Sequence, residues 1–324
     1  MSKITVGVLR GGPSSEYEIS LRTGQNVLKY LARDKYKPLD ILLTKKGEWY
    51  VNGMVAVPDK IFRAIDVIFN ALHGEFGEDG KVQRLFEIYN ISYTGSASWP
   101  SFLAMNKIMA RESFKNTGLK IAEAMAFKQE DNLNKAVFGA IRKMAPPWVI
   151  KPVSRGSSVG VSIAKNAEEL TDSLKKSFSY DKTALVEKYI KGRETTCAVL
   201  ENFRGEKLYA FPVVEIMPPE TSRFFDYSAK YGGAAQEICP GRFSVKQKQE
   251  IQEMARKAHQ ILGCRHYSRS DFIVARDGVY ILETNTLPGL TAESLFPKAA
   301  ASIGLEFPQL LDHLIQLAYR ENGA

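Results

Sequence analysis

Asp271-Phe-Ile-Val-Ala-Arg-Asp-Gly-Val-Tyr-Ile-Leu-Glu-Thr-Asn285 decides how this chain is read. Two apolar runs, 271–274 and 279–283, flank Asp277-Gly278, a dipeptide that favours the tight turn of a β-hairpin. Asp271 and Glu283 stand on opposite arms, and a period of two puts Glu283 and Asn285 on one face. Three hard oxygen donors on so small a platform suit Mg²⁺, which keeps several waters and bridges substrate phosphates. Taken alone, a solvated antiparallel pair with its acids outward reads equally well. The sequel, Thr286-Leu-Pro-Gly-Leu-Thr291, tips the balance, because a Pro-Gly turn after polar strand-end residues builds an irregular loop beside the acids.

Upstream, Lys151-Pro-Val-Ser-Arg-Gly-Ser-Ser-Val-Gly160 links an apolar run at 148–151 to another at 159–164. Two strands joined by such a Gly/Ser-rich loop form a hairpin-like pair rather than a crossover. Backbone N–H groups in the loop can cradle a phosphate while Lys151 pairs with another phosphate oxygen. The segment is neither a Walker A loop nor a dinucleotide fingerprint, since no helix follows the glycines directly. A hairpin tip with no ligand is the competing reading.

Towards the N-terminus the pattern changes. The run 4–9 ends at Gly11-Gly12; Leu21, Val27, Leu28 and Leu31 follow at helical spacing; runs at 39–43 and 67–72 come next, then Val82, Leu85, Phe86 and Tyr89 at helical spacing. Strand and helix alternate, which predicts a parallel sheet covered by helices in a first domain ending near Gly95. Gly11-Gly-Pro-Ser-Ser-Glu16 and His73-Gly-Glu-Phe-Gly-Glu-Asp-Gly80 each follow a strand, at the carboxyl edge where open parallel sheets bind ligands. Glu16 can hold a substrate ammonium there; His73 reads as ligand wall or as structural histidine. Spacing further predicts helices over 98–117, 167–178 and 245–262 and strands at 122–127, 184–187, 195–200 and 208–216. A Gly-rich loop covers 226–235, and a C-terminal helix carries Leu310, Leu311, Leu314, Ile315 and Leu317.

Composition bounds the function. At 324 residues, 44% hydrophobic and 25% charged, the chain has the size and apolar content for two or three ordered domains, not for a disordered one. No apolar run approaches the roughly 18 residues of a membrane helix, and the N-terminal run is too short for a signal peptide, so a cytoplasmic protein is expected. Cys197, Cys239 and Cys264 are scattered and read as small hydrophobes; His259, His266 and His313 lack metal-ligand spacing. A net charge of +8 favours anionic partners, yet no run reaches five like charges and acids are interleaved throughout. A nucleotide accounts for that balance, and neither a nucleic-acid nor a membrane partner is expected.

Taken together and in order, these motifs resemble the D-alanine–D-alanine ligase family of the ATP-grasp superfamily. The likeness spans nearly the whole chain and rests on 11–20, 73–80, Gly156-Ser-Ser-Val-Gly160, Asp226-Tyr-Ser-Ala-Lys-Tyr231, Arg269-Ser-Asp271 and Glu283-Thr-Asn-Thr-Leu-Pro-Gly-Leu-Thr-Ala-Glu-Ser294. It implies an α/β fold, α+β in part, of ATP-grasp architecture. An N-terminal parallel-sheet domain (1–96) would stand on the substrate side of two ATP-clasping domains, 97–182 and 183–324, the last with the metal site and a closing loop. The activity implied is ATP-dependent ligation of two D-alanine molecules to D-alanyl-D-alanine through D-alanyl phosphate, for peptidoglycan precursor synthesis. A D-alanine–D-lactate or D-serine ligase, or another ATP-grasp carboxylate–amine ligase, is the alternative.

The resemblance also assigns residues. Lys107 and Lys151 resemble phosphate-binding lysines, Lys230 the lysine that reaches the γ-phosphate, and Glu187 and Glu194 the adenine- and ribose-side acids; Ser157 and Ser158 belong to the same ATP-binding set. Asp271, Glu283 and Asn285 match the ligands of two Mg²⁺ ions, for which Mn²⁺ can stand in. Glu16 matches the acid that holds the first D-alanine's ammonium, with His73 beside it. Glu16, Ser157 and Tyr231 resemble a hydrogen-bonded set tying the substrate wall to the closing loop. Arg269 and the Gly289 backbone resemble the stabilisers of the acyl phosphate and tetrahedral intermediate, and Ser294 with the Leu295 backbone the group that binds the second carboxylate. Family members tend to be homodimers. Pro13, Glu75-Phe76 and Arg155-Gly156 depart from the family's pattern within loops and remove no motif residue.

Overall fold

Val6, Val8 and Leu9 are wholly buried, which is why the first strand needs an unbroken apolar run rather than an alternating one. The computed structural model describes residues 3–217 and 236–321; the loop 226–235, with Lys230 and Tyr231, lies outside the described residues. The first unit runs β1 (Ile4–Gly11), α1 (Tyr17–Tyr30), β2 (Tyr36–Leu43), β3 (Trp49–Val51), β4 (Met54–Val55), α2 (Pro58–Phe62), β5 (Val67–Asn70), α3 (Lys81–Ile88) and β6 (Ser92–Tyr93). Its sheet has the order β4-β3-β2-β1-β5-β6. The pairs β1–β2, β1–β5 and β5–β6 are parallel, as the alternation of strand and helix requires, while β3 and β4 add an antiparallel edge.

Next come α4 (Ser98–Met105), α5 (Lys107–Asn116), β7 (Ala124–Lys128), α6 (Leu133–Lys143), β8 (Trp148–Pro152), β9 (Ser162–Ala164), α7 (Ala167–Phe178) and β10 (Thr183–Lys188). Their four strands form an antiparallel sheet of order β7-β10-β8-β9. The chain continues through β11 (Gly192–Phe203), β12 (Glu206–Ala210), β13 (Val214–Met217), β14 (Gln236–Ile238), α8 (Val245–Ile261), β15 (Tyr267–Ala275), β16 (Gly278–Asn285), α9 (Leu295–Ala301) and α10 (Phe307–Glu321). The third sheet runs β14-β13-β11-β15-β16, with β12 also paired to β11.

Three expectations are corrected. The helix expected over 98–117 is two helices, because Asn106 leaves helical geometry at φ −82°, ψ 99° and its side chain accepts the N–H groups of Ile108 and Met109 at 3.2 and 3.1 Å. The break turns the Lys107 N–H to the Val153 carbonyl at 3.1 Å. The strand expected over 208–216 splits into β12 and β13, whose registers on β11 differ by one residue; Pro212, with no N–H to give, lies between them. The strand expected from 159 begins only at Ser162, since Ser157, Ser158 and Gly160 take φ values of 50°, 58° and 75°. The short helix α9 has no counterpart in the spacing analysis.

One apolar core joins the ends of the chain. Val6, Val8 and Phe69 of the first sheet pack in a single cluster with Tyr267 of the third, with Phe211 and Leu287 just beyond its strands, and with Leu310, Leu311, Leu314 and Ile315 of α10. The opposite face of the first sheet buries Leu9, Ile41 and Ile68 with Phe62 and Phe86. Of the cysteines, Cys197 and Cys264 are buried with their thiols pushed up to about 12 by burial, while Cys239 is half-buried. Among the described residues no helix is long and apolar enough to cross a membrane.

Asn106→Ala removes the cap that starts α5 and is expected to cost about 1 kcal/mol, the usual worth of an asparagine N-cap. Denaturant unfolding of the variant beside the parent checks this. An unchanged midpoint would mean that packing of α4 and α5, rather than the cap, sets the break.

Candidate active site

The hairpin of β15 and β16 places the acidic face. Asp271 pairs directly with Glu283, but the next pair is Phe272 with Ile281, so Leu282 is the extra residue of a β-bulge. Val279 and Ile281 are buried in the core. Strict alternation would send Glu283 inward with them; the bulge instead leaves Glu283 and Asn285 on the cleft side with Asp271. Arg269 Nε and Nη2 donate to Asp271 Oδ1 and Oδ2 at 2.9 and 2.8 Å, and Thr196 Oγ1 donates to Oδ1 at 2.7 Å. The Asn285 amide oxygen accepts the Leu287 N–H at 2.7 Å. Two carboxylates and an amide oxygen on one open face fit a hard divalent cation shared with substrate phosphates. Among the described residues no group of three or more His, Cys, Asp or Glu could hold a metal by itself.

Behind this face lies a buried charge cluster. Lys151 Nζ and Arg111 Nη1 lie 2.6 and 2.5 Å from the two Glu187 oxygens, and the other arm of Arg111 donates to the Ala122 carbonyl. Burial favours the neutral form of Lys151, but the charges of Glu187 and Glu283 outweigh it and hold the ammonium above the usual lysine value. Burial likewise favours neutral Glu187, and Lys151 with Arg111 outweighs it, so this carboxyl lies below its usual value. The helix break at Asn106 delivers Lys107, whose Nζ donates to the Arg155 carbonyl at 2.6 Å and stands 3.4 Å from Glu283.

The loops at the carboxyl edge of the first sheet supply another wall. Ser157 Oγ donates to Glu16 Oε2 at 2.6 Å, joining the Gly/Ser loop of the second sheet to the loop after β1. Glu16 is buried. Gly74 brings the loop after β5 against it: at φ 69°, a Cβ there would stand 2.5 Å from Ser14 Oγ and 3.1 Å from Glu16 Oε1. His73 is buried between Thr23 Oγ1, 2.9 Å from Nε2, and Glu78 Oε1, 3.4 Å from Nδ1. Across the cleft, Gly289 sits so close to Ser294 that a Cβ would lie 2.9 Å from its Oγ, which accepts the Thr291 N–H at 3.0 Å.

These walls enclose two cavities. One of about 470 Å³ is lined by Glu16, His73, Ser157, Gly289 and Ser294. Another of about 130 Å³ has Lys151, Ser158, Glu187 and Glu194 beside an apolar lining that includes Val149, Ile163, Ile216 and Ile273. Lys107, Arg269, Glu283 and Leu295 border both. Sequence reasoning missed Arg111, Thr196 and Glu78. Arg111 stands one helical turn after Lys107, a signal that exists but is common to any helix. Glu201 draws in the His259 ring through Oε1 at 3.3 Å, the backbone N–H of His266 through Oε2 at 2.7 Å and the His313 ring through its backbone carbonyl at 2.7 Å.

A parallel sheet and two antiparallel sheets that enclose a lysine- and carboxylate-lined cleft define the ATP-grasp fold. The sequence matches the family described as D-ala D-ala ligase C-terminus over residues 113–316 and D-ala D-ala ligase N-terminus over 5–60 and 54–96. A D-alanine–D-alanine ligase of Syntrophobacter fumaroxidans is 41% identical over 320 residues, which cover 98% of this chain and 99% of that one. The solved VanG D-Ala:D-Ser ligase of Enterococcus faecalis superposes with TM-score 0.85 at 30% identity, covering 98% and 100% of the two chains. A Bacillus anthracis D-alanine–D-alanine ligase complexed with ATP superposes with TM-score 0.83 at 30% identity, covering 99% of each. The chain belongs to the D-alanine–D-alanine ligase family.

Glu187→Gln leaves Lys151 and Arg111 buried without their carboxylate, and is expected to cost about 3–5 kcal/mol of stability. The sign with pH follows from the depressed Glu187 carboxyl: its contribution is complete above the ordinary value of 4.5 and is lost as pH falls through the lower folded value. Denaturant unfolding from pH 7 downwards is therefore expected to lose stability at the acid end less steeply in the variant than in the parent. Parallel curves at equal stability would contradict the buried cluster.

Proposed function

We propose that this chain joins two D-alanine molecules to D-alanyl-D-alanine with ATP, through D-alanyl phosphate, releasing ADP and phosphate for peptidoglycan precursor synthesis. Family membership supports the reading, and one observation carries it: the hydrogen-bonded pair of buried Glu16 and half-buried Ser157 lines the same cavity as Arg269, Gly289, Lys107 and Glu283. A carboxylate fit for an ammonium is thereby brought beside groups fit for phosphate.

ATP is assigned to the smaller cavity, whose apolar lining suits a purine, with Glu187 and Glu194 on its adenine and ribose side and Ser157, Ser158, Lys107 and Lys151 towards the phosphates. That a Bacillus anthracis relative is solved in complex with ATP supports ATP as the nucleotide. Asp271, Glu283 and Asn285 would hold two Mg²⁺ ions, or Mn²⁺ in their place. When bound, such ions neutralise charge on the transferred phosphoryl group. Glu16 holds the first D-alanine's ammonium, with His73 on the same wall, so that its carboxylate points to the phosphates.

A carboxylate is a poor electrophile, and phosphorylation makes it an acyl phosphate. Lys107 and Lys151 meet the charge that develops on the phosphoryl oxygens. Ser294 and the Leu295 N–H receive the second D-alanine's carboxylate, and its neutral amine attacks the acyl carbon. The oxyanion then forms between the Arg269 guanidinium and the Gly289 N–H, and phosphate leaves as the tetrahedral intermediate collapses. Lys230 and Tyr231 are assigned to the γ-phosphate and to the Glu16–Ser157 set. The proposal divides the chain into units 1–96, 97–182 and 183–324 and takes the enzyme as a cytoplasmic homodimer. The Enterococcus faecalis D-Ala:D-Ser relative favours a second reading, in which D-serine, or D-lactate by the same logic, is the second substrate.

Phosphate release from ATP is expected only with D-alanine present, with D-alanyl-D-alanine as product. L-alanine should be inert, because inverting the α-carbon moves either the ammonium from Glu16 or the carboxylate from the phosphates. Equal turnover of both enantiomers would sink the assignment. A mixed-substrate reaction yielding mainly the D-serine or D-lactate product would replace it with the second reading.

A further inference from the structure

We propose that Asn26 of α1 is a positioning residue for the amine-attack step: through its hydrogen bond to the loop 286–294 it sets the Gly289 N–H relative to Glu16. The proposal rests on the ligase reading for the roles of Glu16 and Gly289; the tie itself stands on contacts. Asn26 Nδ2 donates to the Leu290 carbonyl at 2.8 Å, joining residues 264 positions apart.

One helix serves both sides of the larger cavity. Glu16 is the N-cap of α1, and Ile19 and Arg22 on its next turns line the cavity. Thr23 Oγ1 lies 2.9 Å from His73 Nε2, and Asn26, three residues on, reaches the loop. Ser20 pins the helix to the first sheet, its Oγ donating to the Ala71 carbonyl at 2.8 Å and accepting the Gly11 N–H at 2.7 Å. α1 is thus a strut that spans roughly 15 Å from Glu16 to Asn26. The loop is tied at both ends. The Leu287 N–H donates to Asn285 Oδ1 at 2.7 Å, the Thr291 N–H to Ser294 Oγ at 3.0 Å, and the Ser294 N–H to the Thr291 carbonyl at 3.1 Å. Between these ties stands Gly289, where a Cβ would lie 2.9 Å from Ser294 Oγ. A glycine's backbone is the freest of any residue, so the direction of its N–H must be set by its neighbours. Leu287 and Leu290 are buried in one cluster with Val27 of α1, a contact that fixes depth but has no direction. The Asn26 bond supplies direction, because it orients the Leu290 carbonyl two peptide units from the Gly289 N–H.

The test compares the full-length parent with Asn26→Leu and Asn26→Asp, both of which keep the side chain's size and lose its N–H donor, and with Val27→Ala as a purely structural control. A displaced oxyanion donor slows attack by the amine, and water then takes the acyl group, returning D-alanine and releasing phosphate. Both Asn26 variants are expected to form dipeptide about tenfold more slowly, with the KM for ATP within about twofold of the parent's. Phosphate released per dipeptide should rise about twofold. Val27→Ala should lower the thermal unfolding midpoint and leave that ratio at the parent's value. Hydrogen exchange at 287–292 needs no turnover and should quicken about fivefold in Asn26→Leu. A parental ratio in both Asn26 variants, a ratio raised equally by Val27→Ala, or exchange indifferent to Asn26→Leu would overturn the positioning role. A parent that makes no dipeptide, in which exchange still responds, would overturn the ligase reading and leave the tie between α1 and the loop standing.

Discussion

The cleft depends on one break in a ladder. Asp271 and Glu283 are paired directly, and one residue later the extra Leu282 shifts the register. Had β16 alternated without interruption, Glu283 would share the face of Val279 and Ile281, which belongs to the core, and a carboxylate there would meet the full cost of burial. The bulge lets one short hairpin serve two purposes: its lower half seals a core, and its upper half presents acids to the cleft. Arg269, two residues from Asp271 on the same strand, ties the acidic face to the larger cavity by gripping that carboxylate with both arms of its guanidinium.

The rest of the molecule brings cations to those acids. Lys107 arrives because Asn106 ends one helix and caps the next; Lys151 arrives at the end of β8, kept charged by Glu187. The first sheet is held in place by the apolar cluster that α10 shares with it, and by Asn26 of α1, whose Nδ2 donates to the Leu290 carbonyl at 2.8 Å. Glu16 therefore faces Gly289 and Ser294 across a gap fixed by packing between distant parts of the chain.

Much of this was legible in the sequence, and the limits have physical reasons. Glycine-rich loops after apolar runs mark the positions of Glu16, His73 and Ser157, since close backbone approach needs glycine, and Asp277-Gly278 marks the hairpin. The bulge was not legible: the period of two correctly joins Glu283 to Asn285, but it would join Val279 and Ile281 to them as well. The helix break was hidden because apolar spacing continues through Asn106, and an asparagine declares itself a cap only once its side chain finds the N–H groups of Ile108 and Met109. Nothing in the sequence sets Arg111 apart, because the partner that gives it a role, Glu187, lies 76 positions away.

The central claim is that the bulge sets Glu283 beside Asp271 to hold a divalent cation with the phosphates of a nucleotide. Titration of Mn²⁺ and ATP into the parent and into Glu283→Gln, followed by the paramagnetic signal of free Mn²⁺, tests it without turnover. Loss of one anionic ligand from a hard-cation site should weaken nucleotide-dependent Mn²⁺ binding about tenfold or more, with the thermal unfolding midpoint nearly unchanged. Equal Mn²⁺ affinity in a folded variant would contradict the account.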